Sequence, residues 1–173
     1  MLGETSYLKI STVVACKRLL PTSMPNDDAA YLYTFRYLLE RLSWLARSER
    51  TVLSYTLSHV RGFRVSALRQ YEAKLREIDT EIKWDHLDPA GGKLATDRQV
   101  EQLQLADIAA SATAAAFEPN PAGETNQSYL RDLVPRLYRG PRLRRPNSLT
   151  SYGLKMHPWN DAAKATYPWV RSL

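Results

Sequence analysis

Cysteine is nearly absent from this chain of 173 residues, which has Cys16 as its single thiol. One cysteine excludes a disulfide within the chain and any zinc site built from several thiolates, and it predicts a reducing, cytoplasmic setting. Long apolar runs are also lacking, since no stretch approaches the roughly 20 consecutive apolar residues of a membrane-spanning helix. We therefore expect no membrane partner.

Several signatures of catalysis are missing as well. The AGGK stretch (Ala90–Lys93) lacks the spacing and the following hydroxyl residue of a phosphate-binding loop. The sequence contains neither a Gly-x-Ser-x-Gly nucleophile turn nor a zinc-ligand pattern.

What the sequence does contain is positive charge, with a formal net value of +6. A stretch near the end has Asp132 as its one acid and is crowded with Arg131, Arg136, Arg139, Arg142, Arg144 and Arg145. Because guanidinium groups match phosphate geometry, this stretch predicts a nucleic-acid contact. A solvated, flexible basic segment is the alternative.

Hydrophobic patterning predicts alternating strands and helices. The predicted strands are Tyr7–Cys16, Arg50–His59 and Thr80–Leu87. The predicted helices are about 27–47, 63–78, 97–117 and 126–138, with Pro135 kinking or dividing the last one. This order favours an α/β fold with a small, largely parallel sheet. We expect one domain over residues 1–139 and an irregular Pro- and Arg-rich tail over residues 140–173.

The alanine-rich helix VEQLQLADIAASATAAAF (Val100–Phe117) has one aspartate near its middle. On a helical wheel, Asp107 lies beside Gln104 and Ser111, and the other positions are mostly leucine, isoleucine and alanine. An ionised carboxylate on a buried helix is costly unless it is paired, hydrogen-bonded or metal-bound. We therefore expect a partner for Asp107. A structural aspartate that caps a loop or pairs with an arginine is the alternative.

The segment LQLADIAASA (Leu103–Ala112) resembles the Gln-Leu-Ala-Asp segment of the bacterial domain of unknown function DUF 3800. Three further segments agree with that family, namely VVACK (13–17), LLERL (38–42) and YLRDLVPRLY (129–138). The resemblance covers about Lys9–Arg139 and implies a ribonuclease-H-like fold. That fold normally opens with a three-stranded meander and ends with a helix that carries an active-site acid. Here Tyr7–Cys16 corresponds to the third strand, so the first two strands and their Asp-Glu motif have no counterpart.

The resemblance implies metal-dependent nuclease chemistry. It assigns Asp107 as the catalytic, metal-binding carboxylate, supported by Gln104 and Ser111. Clustered carboxylates would hold Mg²⁺ or Mn²⁺. The residues expected to contact nucleic acid are Arg136, Arg139, Arg142, Arg144 and Arg145. Because the opening strands are lacking, we expect a truncated fold whose exposed sheet edge accepts a strand from another chain.

Other ionisable residues are weaker candidates. Glu40 lies opposite the apolar stripe of the first helix and four residues after Arg36, which predicts a solvent-facing ion pair. His59 could bind a metal or act as a base, with a simple polar end of a strand as the alternative. The cluster Asp85, His86 and Asp88 matches no metal motif. Asp88 precedes a proline, which is typical of a turn.

The function predicted from the sequence is thus that of a divergent nuclease-like protein, incomplete as it stands. Two alternatives stay open: a non-catalytic module that binds nucleic acid or protein, and a degenerating gene fragment.

Overall fold

The computed structural model describes residues 7–20, 27–58, 63–96, 98–140 and 152–173. The protein is mixed α/β, with more helix than strand and with small parallel sheets. It forms two compact units, which divide between Leu103 and Gln104. Unit 1 comprises residues 1–23 and 104–173, and unit 2 comprises residues 24–103. This division differs from the boundary predicted after residue 139.

The strands in chain order are β1 (Thr12–Ala15), β2 (Thr56–Ser58), β3 (Lys93–Ala95) and β4 (Leu154–His157). The helices are α1 (Asp27–Ser48), α2 (Val65–Glu77), α3 (Gln102–Phe117), α4 (Ser128–Leu133) and α5 (Asp161–Thr166). Short 3-10 turns occupy Lys17–Leu19, Trp84–His86, Val134–Arg136 and Pro168–Ser172. Within the described ranges, none of the helices combines the length and the apolarity needed to cross a bilayer.

Unit 2 contains the parallel pair β2 and β3, with Leu57 opposite Leu94. Apolar residues recur every three to four positions along α1 and α2, so each helix has one face that can be buried. Those faces contribute to a single cluster of buried side chains, formed by Phe35, Leu39, Tyr55, Phe63, Leu68, Leu75, Ile82 and Leu87. The predicted first and second helices, about 27–47 and 63–78, are confirmed as α1 and α2.

Unit 1 contains the parallel pair β1 and β4, with Thr12 opposite Leu154. Ile10 forms an isolated parallel bridge with Leu137 just before β1. The main cluster of buried side chains is formed by Ala116, Phe117, Leu130, Leu137, Leu154, Met156, Ala163 and Val170. As predicted from Pro135, the helix is interrupted: α4 ends at Leu133, and a 3-10 turn over Val134–Arg136 follows it.

The predicted strand Thr80–Leu87 is wrong. Trp84–His86 forms a 3-10 turn, and Leu87 makes only an isolated bridge to Leu53. Side chains account for the difference, because the Ser43 hydroxyl accepts the Lys83 N–H at 3.0 Å. The ring of Trp84 lies 4.0 Å from the Arg76 guanidinium carbon. The third strand of the chain is instead β3, where the sequence predicted no strand.

The expectation of an irregular tail is also corrected for residues 152–173. Alternation in LKMH places Leu154 and Met156 in the core of unit 1. Asn160 caps α5 by accepting the Ala163 N–H at 2.9 Å. β1 therefore pairs with the end of the chain rather than with residues 50–59. The rest of the predicted tail, residues 141–151, lies outside the described residues.

Candidate functional site

Asp107 lies on the exposed face of α3. The helix buries Leu103, Ala109, Ala112, Thr113, Ala116 and Phe117. The other side exposes Gln104, Ala106, Asp107, Ile108, Ala110, Ser111 and Ala114. We call this second set the α3 face. The helical wheel places Asp107 at its centre, with Ser111 and then Gln104 toward one edge. The prediction that Asp107 lies on a buried surface is wrong. Alanine fits either a buried or an exposed surface, so an alanine-rich sequence does not show which side of the helix is buried.

The composition of the α3 face is unusual for a surface exposed to water. Between Gln104 and Ala114, Asp107 is the only charged residue. Ile108 is 51% exposed, and the rest of the α3 face is mainly alanine. Exposed helix faces normally carry charged and polar side chains. The carboxylate of Asp107 therefore stands alone on a surface of small, mostly apolar groups.

Asp107 does not by itself complete a metal site. Carboxylate oxygen is a ligand that Mg²⁺ and Mn²⁺ accept, and the amide of Gln104 and the hydroxyl of Ser111 are further oxygen donors. Mg²⁺ requires about six ligands in octahedral geometry, and nuclease centres use several carboxylates. Over the parts of the chain that the structure describes, no three Asp, Glu, His or Cys residues come together as a metal-binding group.

The predicted arginines occupy different environments. Arg136 is half-buried, and its carbonyl accepts the Ile10 N–H at 2.8 Å. Arg139 is exposed, two residues beyond the bridge at Leu137. The remaining predicted contacts, Arg142, Arg144 and Arg145, lie outside the described residues.

The two units differ in charge. Unit 1 has twelve Lys and Arg residues against six Asp and Glu, whereas unit 2 has twelve of each. The whole net charge of +6 therefore belongs to unit 1, which also carries Asp107 and every predicted arginine. Concentrated positive charge attracts polyanions, and the attraction is independent of sequence.

Glu40 forms the predicted pair with Arg36, whose Nε lies 3.5 Å from Glu40 Oε1. The predicted solvent exposure is wrong, because Glu40 is only 4% exposed. Arg41, which is equally buried, donates from Nη1 to Glu40 Oε2 at 2.5 Å. The Arg41 guanidinium carbon lies 4.5 Å from the centre of the Trp44 ring. The helical wheel could not predict this arrangement, because it shows where residues lie around one helix and not which contacts bury them.

A second buried carboxylate, Glu72, was not anticipated from the sequence. Its Oε1 accepts the Tyr55 hydroxyl at 2.5 Å and the Gly92 N–H at 3.1 Å. Its Oε2 accepts from Arg69 Nη1 at 2.7 Å, and Arg69 also donates to the Gly92 carbonyl. Burial, and then the bond to Glu72, raise the pKa of Tyr55. These bonds fix the turn before β3, so Glu72 has a structural role and does not bind substrate.

The cluster of Asp85, His86 and Asp88, which lies between α2 and β3, also has local roles. Asp88 accepts from the Ser54 hydroxyl at 2.7 Å and from the Ala90 N–H at 2.9 Å, and these two bonds lower the pKa of Asp88. The turn predicted at Asp88 is therefore confirmed. His86 Nδ1 lies 3.1 Å from the Thr51 carbonyl oxygen, and Asp85 is exposed. His59 lies outside the described residues.

No protein-family model, curated protein or solved structure matches this chain. The resemblance to DUF 3800 and the ribonuclease-H-like fold that it implies stay predictions.

Proposed function

We propose that unit 1 binds nucleic acid and that Asp107 is one carboxylate of a ribonuclease-H-like, metal-dependent nuclease centre. The observation that carries this proposal is the placement of Asp107. It is the one charge on an exposed helix face of small side chains, in the unit that carries all of the net positive charge. The resemblance of LQLADIAASA to DUF 3800 supports the same assignment.

Each residue of the proposed site has a role that follows from its chemistry. Asp107 would contribute a hard oxygen ligand to Mg²⁺ or Mn²⁺. Gln104 and Ser111 lie one turn away on either side and would orient the carboxylate by hydrogen bonding. The arginines, Arg139 among the described ones, would hold phosphates. A bound divalent metal stabilises the negative charge that develops during phosphodiester hydrolysis. Further carboxylates would have to come from a partner strand.

A cleavage assay tests the nuclease assignment. The purified chain is incubated with Mn²⁺ or Mg²⁺ and labelled RNA or DNA, and Asp107→Asn is compared with Asp132→Asn, an exposed acid on α4 of the same unit. Any cleavage by the wild type should be lost in Asp107→Asn and retained in Asp132→Asn, and a wild-type chain that does not cleave would favour the non-catalytic candidate described next. Cleavage that survives in Asp107→Asn at the wild-type rate would reject Asp107 as a catalytic residue.

A non-catalytic binding module is the second candidate, and it is favoured by an edge of β1 that pairs with no strand in the described parts of the chain. The N–H groups of Thr12 and Cys16 donate toward β4, to Gly153 at 2.8 Å and His157 at 2.9 Å. Alternate residues of a strand direct their backbone groups to opposite edges, so those of Ser11, Val13 and Ala15 point away from β4. Among the described residues, that edge has no paired strand.

Such an edge can accept an extended segment of another chain. Binding of nucleic acid that falls steeply with salt, without metal-dependent cleavage, would favour this candidate over the nuclease.

A further inference from the structure

Two tyrosines in unit 1 expose their rings to solvent. Tyr7 is 83% exposed and Tyr129 is 56% exposed. They are the exposed aromatic side chains among the described residues, whereas the exposed large apolar residues of unit 2 are the aliphatic Val52, Val65 and Ile78. Exposed aromatic rings therefore coincide with the unit that carries the net charge.

The segment that carries Tyr7 also exposes a cationic residue, Lys9. Leu8 and Ile10 are half-buried, while Tyr7 and Lys9 are exposed, so the ring and the ammonium group lie on the outward side of this segment. The segment is anchored, because the Ile10 N–H donates to the Arg136 carbonyl and the Ile10 carbonyl accepts the Tyr138 N–H, each at 2.8 Å. Arg136 is thus adjacent to the peptide that follows Lys9.

The helix α4 repeats this combination of ring and cation. Leu130 and Leu133 are buried, which turns Tyr129 and Arg131 outward. The Arg131 guanidinium lies 3.4 Å from the Ser172 hydroxyl and 3.5 Å from the Gln127 side-chain oxygen, contacts that restrict its orientation.

We infer that the nucleic acid bound by unit 1 is single-stranded, with Tyr7 and Tyr129 stacking on unpaired bases beside phosphates held by Lys9 and Arg131. This inference rests on the proposed nucleic-acid binding. A ring can stack only on a base whose face is free, and the bases of a duplex are already stacked on one another. Sites for single strands combine cations along the backbone with aromatic rings for the bases, whereas duplex binding depends chiefly on phosphate contacts.

Fluorescence anisotropy tests the inference with a labelled oligothymidine and a duplex of the same length. We expect tighter binding of the single strand. Tyr7→Ala should weaken that binding roughly 5- to 100-fold, whereas Tyr7→Phe should retain it, since stacking needs the ring and not the hydroxyl. Val65→Ala, which removes an exposed apolar side chain from unit 2, should change nothing.

Salt dependence separates stacking from charge. Lys9→Ala should lower the slope of log affinity against log salt by about 0.7, and Tyr7→Ala should leave that slope unchanged. If the wild type binds single strand and duplex equally and Tyr7→Ala binds normally, the stacking inference is overturned while nucleic-acid binding stands. If the wild type binds neither at low salt, both proposals fail.

Discussion

The two units use charge in different ways. Unit 2 has as many acids as bases and places two of its carboxylates in the interior, where Glu40 meets Arg41 and Glu72 meets Arg69. Unit 1 has twice as many bases as acids, and Arg131 and Arg139 are at its surface. The buried charges of unit 2 therefore have a structural role, whereas the exposed arginines of unit 1 are the ones that the proposed nucleic-acid contact would use. Burial, rather than net charge, distinguishes the two uses.

Removing a buried carboxylate from unit 2 should have the largest effect. Glu72→Ala leaves the Tyr55 hydroxyl and the Gly92 N–H without their acceptor, which should lower the free energy of unfolding by about 2 to 4 kcal/mol. Urea denaturation measures the change. Glu77→Ala, at an exposed position on α2, is the matched control and should stay within about 0.5 kcal/mol of wild type. Equal destabilisation by both variants would refute the structural role of Glu72.

An alkaline titration should show the next largest effect. Burial raises the pKa values of Tyr31, Tyr55 and Tyr71 in unit 2 above 10. The folded state therefore favours the neutral phenols, and stability that is fully present below pH 10 should be lost as the pH rises through the folded pKa values. Tyrosinate absorbance from these residues should rise only above pH 10 and together with unfolding. The Tyr55→Phe variant should lose less stability at high pH than the wild type. Free titration of all tyrosines near pH 10 in the folded protein would contradict the prediction.

Single surface arginines of unit 1 should have the smallest effect. Arg139→Ala should lower the salt slope of single-strand binding by about 0.7 and leave thermal stability unchanged. Arg64→Ala, at an exposed position of unit 2, should leave both quantities unchanged. An equal loss of salt dependence from the two variants would remove the distinction between the units.

Sequence patterns predicted the elements whose signal is local. The first strand, the helices α1 to α3 and the break at Pro135 each follow from periodicity or from the geometry of one residue. The strand β3 is too short for periodicity to show. β4 went unrecognised because its partner β1 is far away in the sequence.

The candidate site was predicted less well, for a related reason. The Gln-Leu-Ala-Asp motif identified Asp107 and its neighbours on the helix as candidates. Because alanines fit either a buried or an exposed surface, the sequence did not show that this side of α3 is exposed. Glu40 illustrates the opposite error, since it was predicted to be exposed and is buried with Arg41 as its partner. Glu72, which Tyr55 and Arg69 hold in the interior, was not predicted at all. Burial is a property of tertiary packing, and helical periodicity describes one element at a time.

The pairing of β1 with β4 also bears on how the protein is made. Thr12 donates to Gly153, a residue 141 positions later, whereas unit 2 is one continuous segment of the chain. During synthesis, unit 2 can complete its contacts before β4, the strand that pairs with β1, has been translated. The sheet of unit 1 can therefore form only after Leu154–His157 has been translated, at a point when all of unit 2 has already been synthesised.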